Sequence, residues 1–184
     1  MADMVSAAEN TEHHAVLLLG GNMGNRSMCL ASALAMIKSR VGVVEKVSKV
    51  YETEPWGMES SRNFLNQAVL VRTEYAPPTL LSICKGIEEE FDSRQRVESQ
   101  RYADRYMDID ILLYDELEYR ENGLVIPHPK LQLRRFALIP LSDIGNAWVV
   151  PGFSGKSVGE LLVSCSDTSE VRPYNIECSK TTNT

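Results

Sequence analysis

Two aspartates, Asp108 and Asp110, stand two residues apart in the otherwise apolar segment YMDIDILLY at 106–114. Successive side chains of a β-strand point to opposite faces, so these two carboxylates share one face. Neighbouring carboxylates repel each other and lose hydration, and a cation between them relieves both costs. Mg²⁺ prefers oxygen ligands and keeps coordination positions for phosphate oxygens. The pair predicts a metal site on a central strand, with a solvated strand end as the alternative.

The polar stretch 92–104, which precedes this strand, is rich in arginine. Arg94, Arg96 and Arg101 lie within it, and Arg105 follows at once. Guanidinium groups match the geometry of phosphate oxygens, and basic loops over active sites close on phosphates. The stretch therefore predicts a phosphate-binding loop, and a plain exposed loop is the alternative.

A second group of residues favours recognition of a flat heterocycle. Phe64 and Asn66 lie at the start of the predicted strand 63–74, where an aromatic ring could stack on a ligand and an amide could read its edge. The alternative is an ordinary core phenylalanine and a hydrogen-bonded strand amide. Further along, Pro127 and Pro129 restrict the backbone on both sides of His128. A backbone fixed in this way favours a functional role for the His128 side chain.

The apolar run 15–19 predicts a strand, and the glycine-rich segment GGNMGN at 20–25 separates it from a helix predicted at 26–40. A strand, a glycine turn and a helix are typical of phosphate loops, but the spacing is not that of a dinucleotide or P-loop motif. A tight turn with Asn25 or Ser27 capping the helix is the second interpretation. The segment GFSGKS at 152–157 lacks the first glycine of a P-loop, since Val150 stands there.

Hydrophobic periodicity predicts further strands at 43–51 and 107–114, a helix from about 80 to 91, and partly helical structure at 131–144. This order predicts an α+β sandwich, with helices on one face of a mainly antiparallel sheet. The polar segment 1–14 is expected to be a disordered leader, 15–163 a single domain, and 164–184 a flexible tail.

The composition excludes several classes of protein. The chain has 184 residues and a net charge of −6, whereas a general nucleic-acid binder would be basic. Its four cysteines show no zinc-like spacing, and with no signal peptide they predict a reduced, cytoplasmic setting. The early apolar run is too short to span a bilayer. A non-catalytic module that binds a small ligand is the rival to an enzyme.

Five stretches together resemble the 6-hydroxymethyl-7,8-dihydropterin pyrophosphokinase family, over roughly residues 15–153. They are LLLGGNMGNR at 17–26, YETEPWG at 51–57, NFLNQAV at 63–69, RYADRYMDIDILLY at 101–114 and IPHPKLQLRRFALIPL at 126–141. The resemblance implies a ferredoxin-like fold. It also implies an enzyme that transfers pyrophosphate from ATP to the pterin hydroxymethyl group in folate biosynthesis, giving AMP and the pterin diphosphate. We expect a monomer, and a monofunctional enzyme because no second domain fits in the remaining residues.

The resemblance also implies roles for residues. Asp108 and Asp110 would hold two Mg²⁺ ions. The catalytic residues would be Asp108, Asp110, Arg94, Arg96 and Arg105. The pterin would contact Thr53, Glu54, Trp56, Phe64, Asn66 and Phe136. ATP would contact Glu88, Arg101, Tyr102, Arg105, Ile111, Val125, His128 and Arg134.

The sequence departs from the family in the loop that leads to the aspartates. Tyr102, Ala103 and Asp104 stand where the family often has Trp-Gly-Pro, and Asp104 brings a negative charge near the expected path of the phosphates. Phe64 replaces a frequent tyrosine, which keeps the stacking surface and loses a hydroxyl.

Overall fold

The computed structural model describes residues 12–57, 59–95 and 104–175, with the side chains of 94 and 95 left aside. The elements, in chain order, are β1 (His13–Gly21), α1 (Arg26–Arg40), β2 (Val43–Val47), β3 (Tyr51–Thr53), β4 (Phe64–Thr73), α2 (Pro77–Gln95), β5 (Asp108–Tyr114), β6 (Tyr119–Glu121), β7 (Leu124–Ile126), a 3₁₀ turn (Leu131–Leu133), α3 (Arg135–Gly145), α4 (Val158–Val163) and β8 (Val171–Pro173).

The main sheet has the strand order β5-β1-β4-β3-β8, and β2 pairs with β4 further along the edge that also carries β3. Every pairing in this sheet is antiparallel, which confirms the predicted sheet type. Strands β6 and β7 form a separate hairpin. Among the described residues, none of the helices has the length and apolarity that crossing a membrane requires.

Helices cover both faces of the sheet, so the prediction of helices on one face is wrong. On one face, α1 and α2 pack over a core that includes Leu17, Leu19 and Ile109. On the other face, α3 and α4 pack over a core that includes Leu18 and Leu112. The near-continuous apolar run of β1 follows from this arrangement, because a strand buried on both faces needs apolar residues at every position.

The sequence predicts a central β5, but among the described residues this strand lies at the edge of the sheet and pairs with β1 alone. It is apolar because both of its faces are covered. Its outer edge is also occupied in part: the Ile109 amide donates to Glu88 Oε1 (2.7 Å), and the His128 amide donates to the Leu112 carbonyl (2.9 Å). Burial of two faces produces the same sequence pattern as a central position.

Several boundaries differ from the sequence predictions. The predicted strand 43–51 is divided between β2 and β3. His13 and His14 lie in β1 rather than in a leader. Residues 171–173 form β8 rather than a flexible tail, because they pair with Tyr51–Thr53. Such long-range pairing leaves no signal in a three-residue polar segment.

Leu17 tests the importance of the central strand. Its side chain is fully buried, and Leu17→Ala should lower the free energy of unfolding by about 2–5 kcal/mol, through lost burial and the cavity left behind. Urea denaturation followed by circular dichroism measures the change. Met28→Ala is the control, since Met28 is 64% exposed and should change stability by less than about 0.5 kcal/mol. Equal losses in the two variants would contradict the described core.

Candidate active site

Strand register brings the candidate residues together around one glycine. Gly20 of β1 lies opposite Asn66 of β4 on one side and opposite Asp108 of β5 on the other. Leu18, two residues earlier, lies opposite Asp110. Because residues two apart share a face, the amide of Asn66 and both carboxylates face the α3 side of the sheet. Neighbouring strands are about 4.8 Å apart, so Asn66 and the aspartates flank a gap in which Gly20 has no side chain.

This gap is the floor of a cavity of about 210 Å³. Ten of the predicted site residues line it together with the two floor residues Leu18 and Gly20. The ten are Thr53, Glu54, Trp56, Phe64, Asn66, Arg105, Asp108, Asp110, Arg134 and Phe136. The sequence did not indicate that Leu18 and Gly20 form the floor, where Gly20 contributes the space left by its lack of a side chain.

Two arginines compensate the paired aspartates. Arg105 Nη1 donates to Asp108 Oδ2 at 2.7 Å, and Arg134 Nη1 donates to Asp110 Oδ2 at 3.4 Å. Burial and the neighbouring Asp110 carboxylate raise the pKa of Asp108, as expected for two carboxylates that share a site. Within the described ranges no group of three or more acidic, histidine or cysteine side chains forms a closed metal cage. Two open carboxylates suit Mg²⁺, which takes phosphate oxygens and water at its other positions.

His128 joins the same cluster. Its Nε2 is 3.2 Å from Arg134 Nη1 and 4.0 Å from Asp110 Oδ2. Burial, and then the positive charge of Arg134, lower the pKa of His128 to about 4. The imidazole is therefore neutral at pH 7. The flanking prolines fix its backbone beside β5, where its amide bonds to the Leu112 carbonyl.

The opposite wall of the cavity is aromatic. The rings of Trp56 and Phe136 lie 6.1 Å apart and are tilted by 57°. The guanidinium of Arg134 lies over both, 5.4 Å from the Trp56 ring and 5.5 Å from the Phe136 ring. Arg134 Nε is buried there without a protein partner. Flat surfaces with an unused donor beside them suit a planar, polar heterocycle.

Thr53 and Asn66 form the polar side of this pocket. Both are buried, and Asn66 Nδ2 donates to Thr53 Oγ1 at 2.8 Å. This bond assigns the amide orientation, so that Asn66 Oδ1 lies over Gly20, where a Cβ atom would come within 2.9 Å of it. A Cβ on Gly21 would come within 2.3 Å of the Tyr106 carbonyl oxygen. Both glycines lie at the end of β1 and permit close packing of the backbone there. Asn25 caps α1 by accepting from the Met28 amide, which supports the interpretation of residues 20–25 as a tight turn.

Asp104 has a structural role that the sequence did not reveal. Its Oδ1 accepts from Asn22 Nδ2 and from Ser60 Oγ, each at 2.7 Å, and Arg62 lies 3.7 Å from its other oxygen. The hydrogen bonds from Ser60 and Asn22 lower the pKa of Asp104. The Asn22 side chain also accepts from the Arg105 amide. The carboxylate thus joins three loops beside the cavity and is neutralised by its own partners.

Three predicted ATP contacts lie away from the cavity wall. Glu88 binds the Ile109 amide and the ammonium of Lys85 (2.7 Å), and burial raises its pKa. Ile111 is buried in the core beneath α1 and α2. Val125 lines a separate groove next to β6.

Lys85, which the sequence did not single out, forms an ion pair with Glu88 on α2 (2.7 Å). Burial lowers its pKa, but Glu88 and the more distant Asp108 and Asp110 together raise it.

Arg96, Arg101 and Tyr102 lie outside the described residues. Arg94 belongs to the last turn of α2, which continues to Gln95, past the predicted end near Phe91.

The combination defines an α+β protein with a paired-carboxylate, arginine-rich site next to an aromatic pocket. The sequence model of the 7,8-dihydro-6-hydroxymethylpterin-pyrophosphokinase (HPPK) family matches residues 16–146. The chain belongs to this family.

Similar proteins agree with this assignment. A protein of Porphyromonas gingivalis named 2-amino-4-hydroxy-6-hydroxymethyldihydropteridine pyrophosphokinase is 43% identical over 136 residues, covering 73% of this chain and 92% of its own. A Bacillus subtilis protein of the same name is 38% identical, covering 71% of this chain and 77% of its own. The fold resembles the crystal structure of Plasmodium falciparum HPPK-DHPS with SDX-DHP, with a TM-score of 0.68 and 17% identity over 89% of this chain; the match spans 46% of that longer protein.

The low pKa of His128 predicts a pH dependence of stability. Its pKa is about 4 in the folded protein and about 6.5 when unfolded, so the unfolded chain takes up a proton first as the pH falls. The contribution of His128 is therefore complete above about pH 6.5 and is lost as the pH falls toward 4. Between pH 7 and pH 5 the protein should lose about 1–2 kcal/mol that His128→Gln does not lose.

Urea unfolding of both proteins at several pH values measures this difference. The variant controls for every other titrating group, including Asp108. If the free energies of unfolding of the two proteins changed with pH in parallel, His128 would not be held neutral by burial.

Proposed function

We propose that the cavity between β3, β5 and α3 is the active site for pyrophosphoryl transfer. As a member of its family, the protein is a 2-amino-4-hydroxy-6-hydroxymethyldihydropteridine pyrophosphokinase, which transfers pyrophosphate from ATP to the pterin hydroxymethyl group in folate biosynthesis. It uses Mg²⁺ with ATP. The observation that carries the proposed site is the register of β1, which puts an aromatic pocket and a carboxylate pair on the same face, one strand apart on either side of Gly20.

On the carboxylate side, Asp108 and Asp110 would hold two Mg²⁺ ions, which would supply positive charge against the ATP phosphates. The phosphates bring their own negative charge, so Arg105 and Arg134 exchange their aspartate partners for phosphate oxygens. The positions of both guanidinium groups beside the carboxylates, at 2.7 Å for Arg105 and 3.4 Å for Arg134, support this exchange. Neutral His128 adds a hydrogen-bond donor without further charge.

On the aromatic side, Phe64 and Phe136 stack on the two faces of the pterin. Thr53 and Asn66 hydrogen-bond to its edge, while Trp56 and Glu54 complete the wall. Arg134 now occupies part of the space between Trp56 and Phe136, so its side chain moves when the ring enters. That movement brings the guanidinium toward the phosphates and connects the two substrate sites.

The remaining ATP contacts are proposed from family membership. Arg94 and Arg96 act in catalysis, and Arg101 and Tyr102 bind ATP from the loop before β5. Ile111 and Val125 lie near the adenine, with backbone atoms of β5 rather than the buried Ile111 side chain making the contact. Glu88 borders the site through its bond to the Ile109 amide.

The protein is further proposed to act as a cytoplasmic monomer with a single ferredoxin-like domain. One chain supplies the whole wall of the cavity, and the order β1, α1, β4, α2, β5 supports a ferredoxin-like core. The free thiols of Cys29, Cys84 and Cys165 support a reducing compartment.

Replacement of either aspartate tests the metal assignment. Asp108→Asn and Asp110→Asn should each lower kcat for AMP formation by at least about a hundredfold, because an amide cannot balance the charge of Mg²⁺. AMP is measured by chromatography, with and without the pterin. Titration calorimetry should show loss of Mg²⁺-dependent binding of a non-hydrolysable ATP analogue. Asp92→Asn, an exposed aspartate on α2, is the matched control. Near-normal turnover in either site variant would refute the assignment.

Replacement of Gly20 tests the pterin pocket. Gly20→Ala puts a methyl group 2.9 Å from Asn66 Oδ1, so the amide must move and lose its bond to the pterin. The Kd for the pterin should rise by about tenfold, measured by calorimetry in the presence of the ATP analogue and Mg²⁺. Gly86→Ala is the control, since a Cβ there meets no atom within 4 Å. An unchanged Kd in Gly20→Ala would exclude Asn66 as a pterin ligand.

A further inference from the structure

The segment after α4 contacts both elements that carry the pterin pocket. We name residues 165–175 the C-terminal strap. Its strand β8 pairs with the outer edge of β3, placing Val171 opposite Thr53. The Tyr174 amide donates to the Val50 carbonyl at 2.8 Å, and the guanidinium of Arg26 lies 5.7 Å from the Tyr174 ring. The strap lies beyond residues 16–146, which the family model matches.

The strap also reaches α3, at the end that forms the aromatic wall. Asp167 Oδ2 accepts from the amide of Arg135, the first residue of the helix, at 3.0 Å. The N-cap residue, Arg134, makes no side-chain capping bond of its own. A helix start leaves amide groups unpaired and carries partial positive charge, so a carboxylate there is stabilising. Asp167, which lies 32 positions further along the chain, therefore caps α3 in place of the N-cap side chain.

Asp167 is itself held in place. Its Oδ1 accepts from the Ser169 amide at 2.9 Å and from the Ser169 hydroxyl. Although partial burial raises the pKa of Asp167, the bonds from Ser169 and from the Arg135 amide lower it overall. The carboxylate is charged at neutral pH and has little freedom to turn away from α3.

The residues on either side of Arg135 are Arg134 and Phe136, and both line the cavity. We propose that Asp167 is a positioning residue for pterin binding, which sets the place of the Phe136 ring by anchoring the first amide of α3. This inference rests on the proposed role of Phe136 as a stacking surface. Arg134 depends less on the anchor, because Asp110 and His128 also hold its guanidinium. Loss of Asp167 should therefore weaken the pterin more than ATP.

Asp167→Ala should raise the Kd for the pterin by about fivefold to tenfold, measured by calorimetry with a non-hydrolysable ATP analogue and Mg²⁺. The Kd for that analogue should change by less than about twofold. Asp167→Asn, whose amide oxygen still accepts, should recover most of the pterin affinity. Ser169→Ala, which only frees the carboxylate, should give an intermediate value and keeps the test available if Asp167→Ala does not fold.

Ser157→Ala is the matched control, because Ser157 caps α4 by accepting from the Glu160 amide and lies outside the cavity. It should lower stability to a similar extent and leave the Kd for the pterin unchanged. An equal loss of pterin affinity in Ser157→Ala would reduce the role of Asp167 to general stability.

A spectroscopic signal separates positioning from stability. The chain has two tryptophans, so 5-fluorotryptophan labelling gives two ¹⁹F resonances. Trp56 contacts the Phe136 ring, whereas the Trp148 carbonyl accepts from the Val158 amide at the start of α4. Asp167→Ala should shift the Trp56 resonance, and Ser157→Ala that of Trp148. An unmoved Trp56 signal with wild-type pterin affinity would overturn the proposal, whereas a wild-type protein that binds no pterin would instead overturn the proposed function.

Discussion

The pairing of β1 with β4 on one side and β5 on the other is the constraint on which the site depends. A slip of one residue in either pairing would turn every side chain of that strand to the opposite face. With the observed register, Asn66, Gly20 and Asp108 lie in one row across the sheet. The missing side chain of Gly20 opens the floor, and the apolar core beneath α1 and α2 holds the strands that carry the polar groups.

The second constraint on the site is the balance of charge between its aspartates and arginines. Two neighbouring, half-buried carboxylates cost free energy unless a cation compensates them. Arg105 and Arg134 supply this compensation in the protein alone, and the low pKa of His128 keeps a third positive charge from accumulating. The same arginines are suited to phosphates, so in the proposed function the groups that stabilise the free site also receive the substrate.

Elements outside the obvious motifs position the site. Asp104 joins the loops at Asn22 and Ser60, Glu88 holds the backbone between the two aspartates, and Asp167 anchors the start of α3. Each is an acidic side chain that accepts hydrogen bonds from distant backbone or side-chain groups. The partners named here lie 21 to 82 residues away in the chain, so the rigidity of the site depends on the complete fold.

The sequence by itself determined the elements whose signals are local: the amphipathic helices, the apolar strands, the aspartate pair on one face and the motifs that indicate the family. Ten of the predicted residues do line one cavity. Only the tertiary structure decided that β5 lies at an edge, that helices cover both faces and that β8 forms within a predicted tail. The reason is physical: periodicity reports which faces of an element are buried, whereas strand order, the partner of an edge and the acceptor of a distant amide depend on long-range contacts.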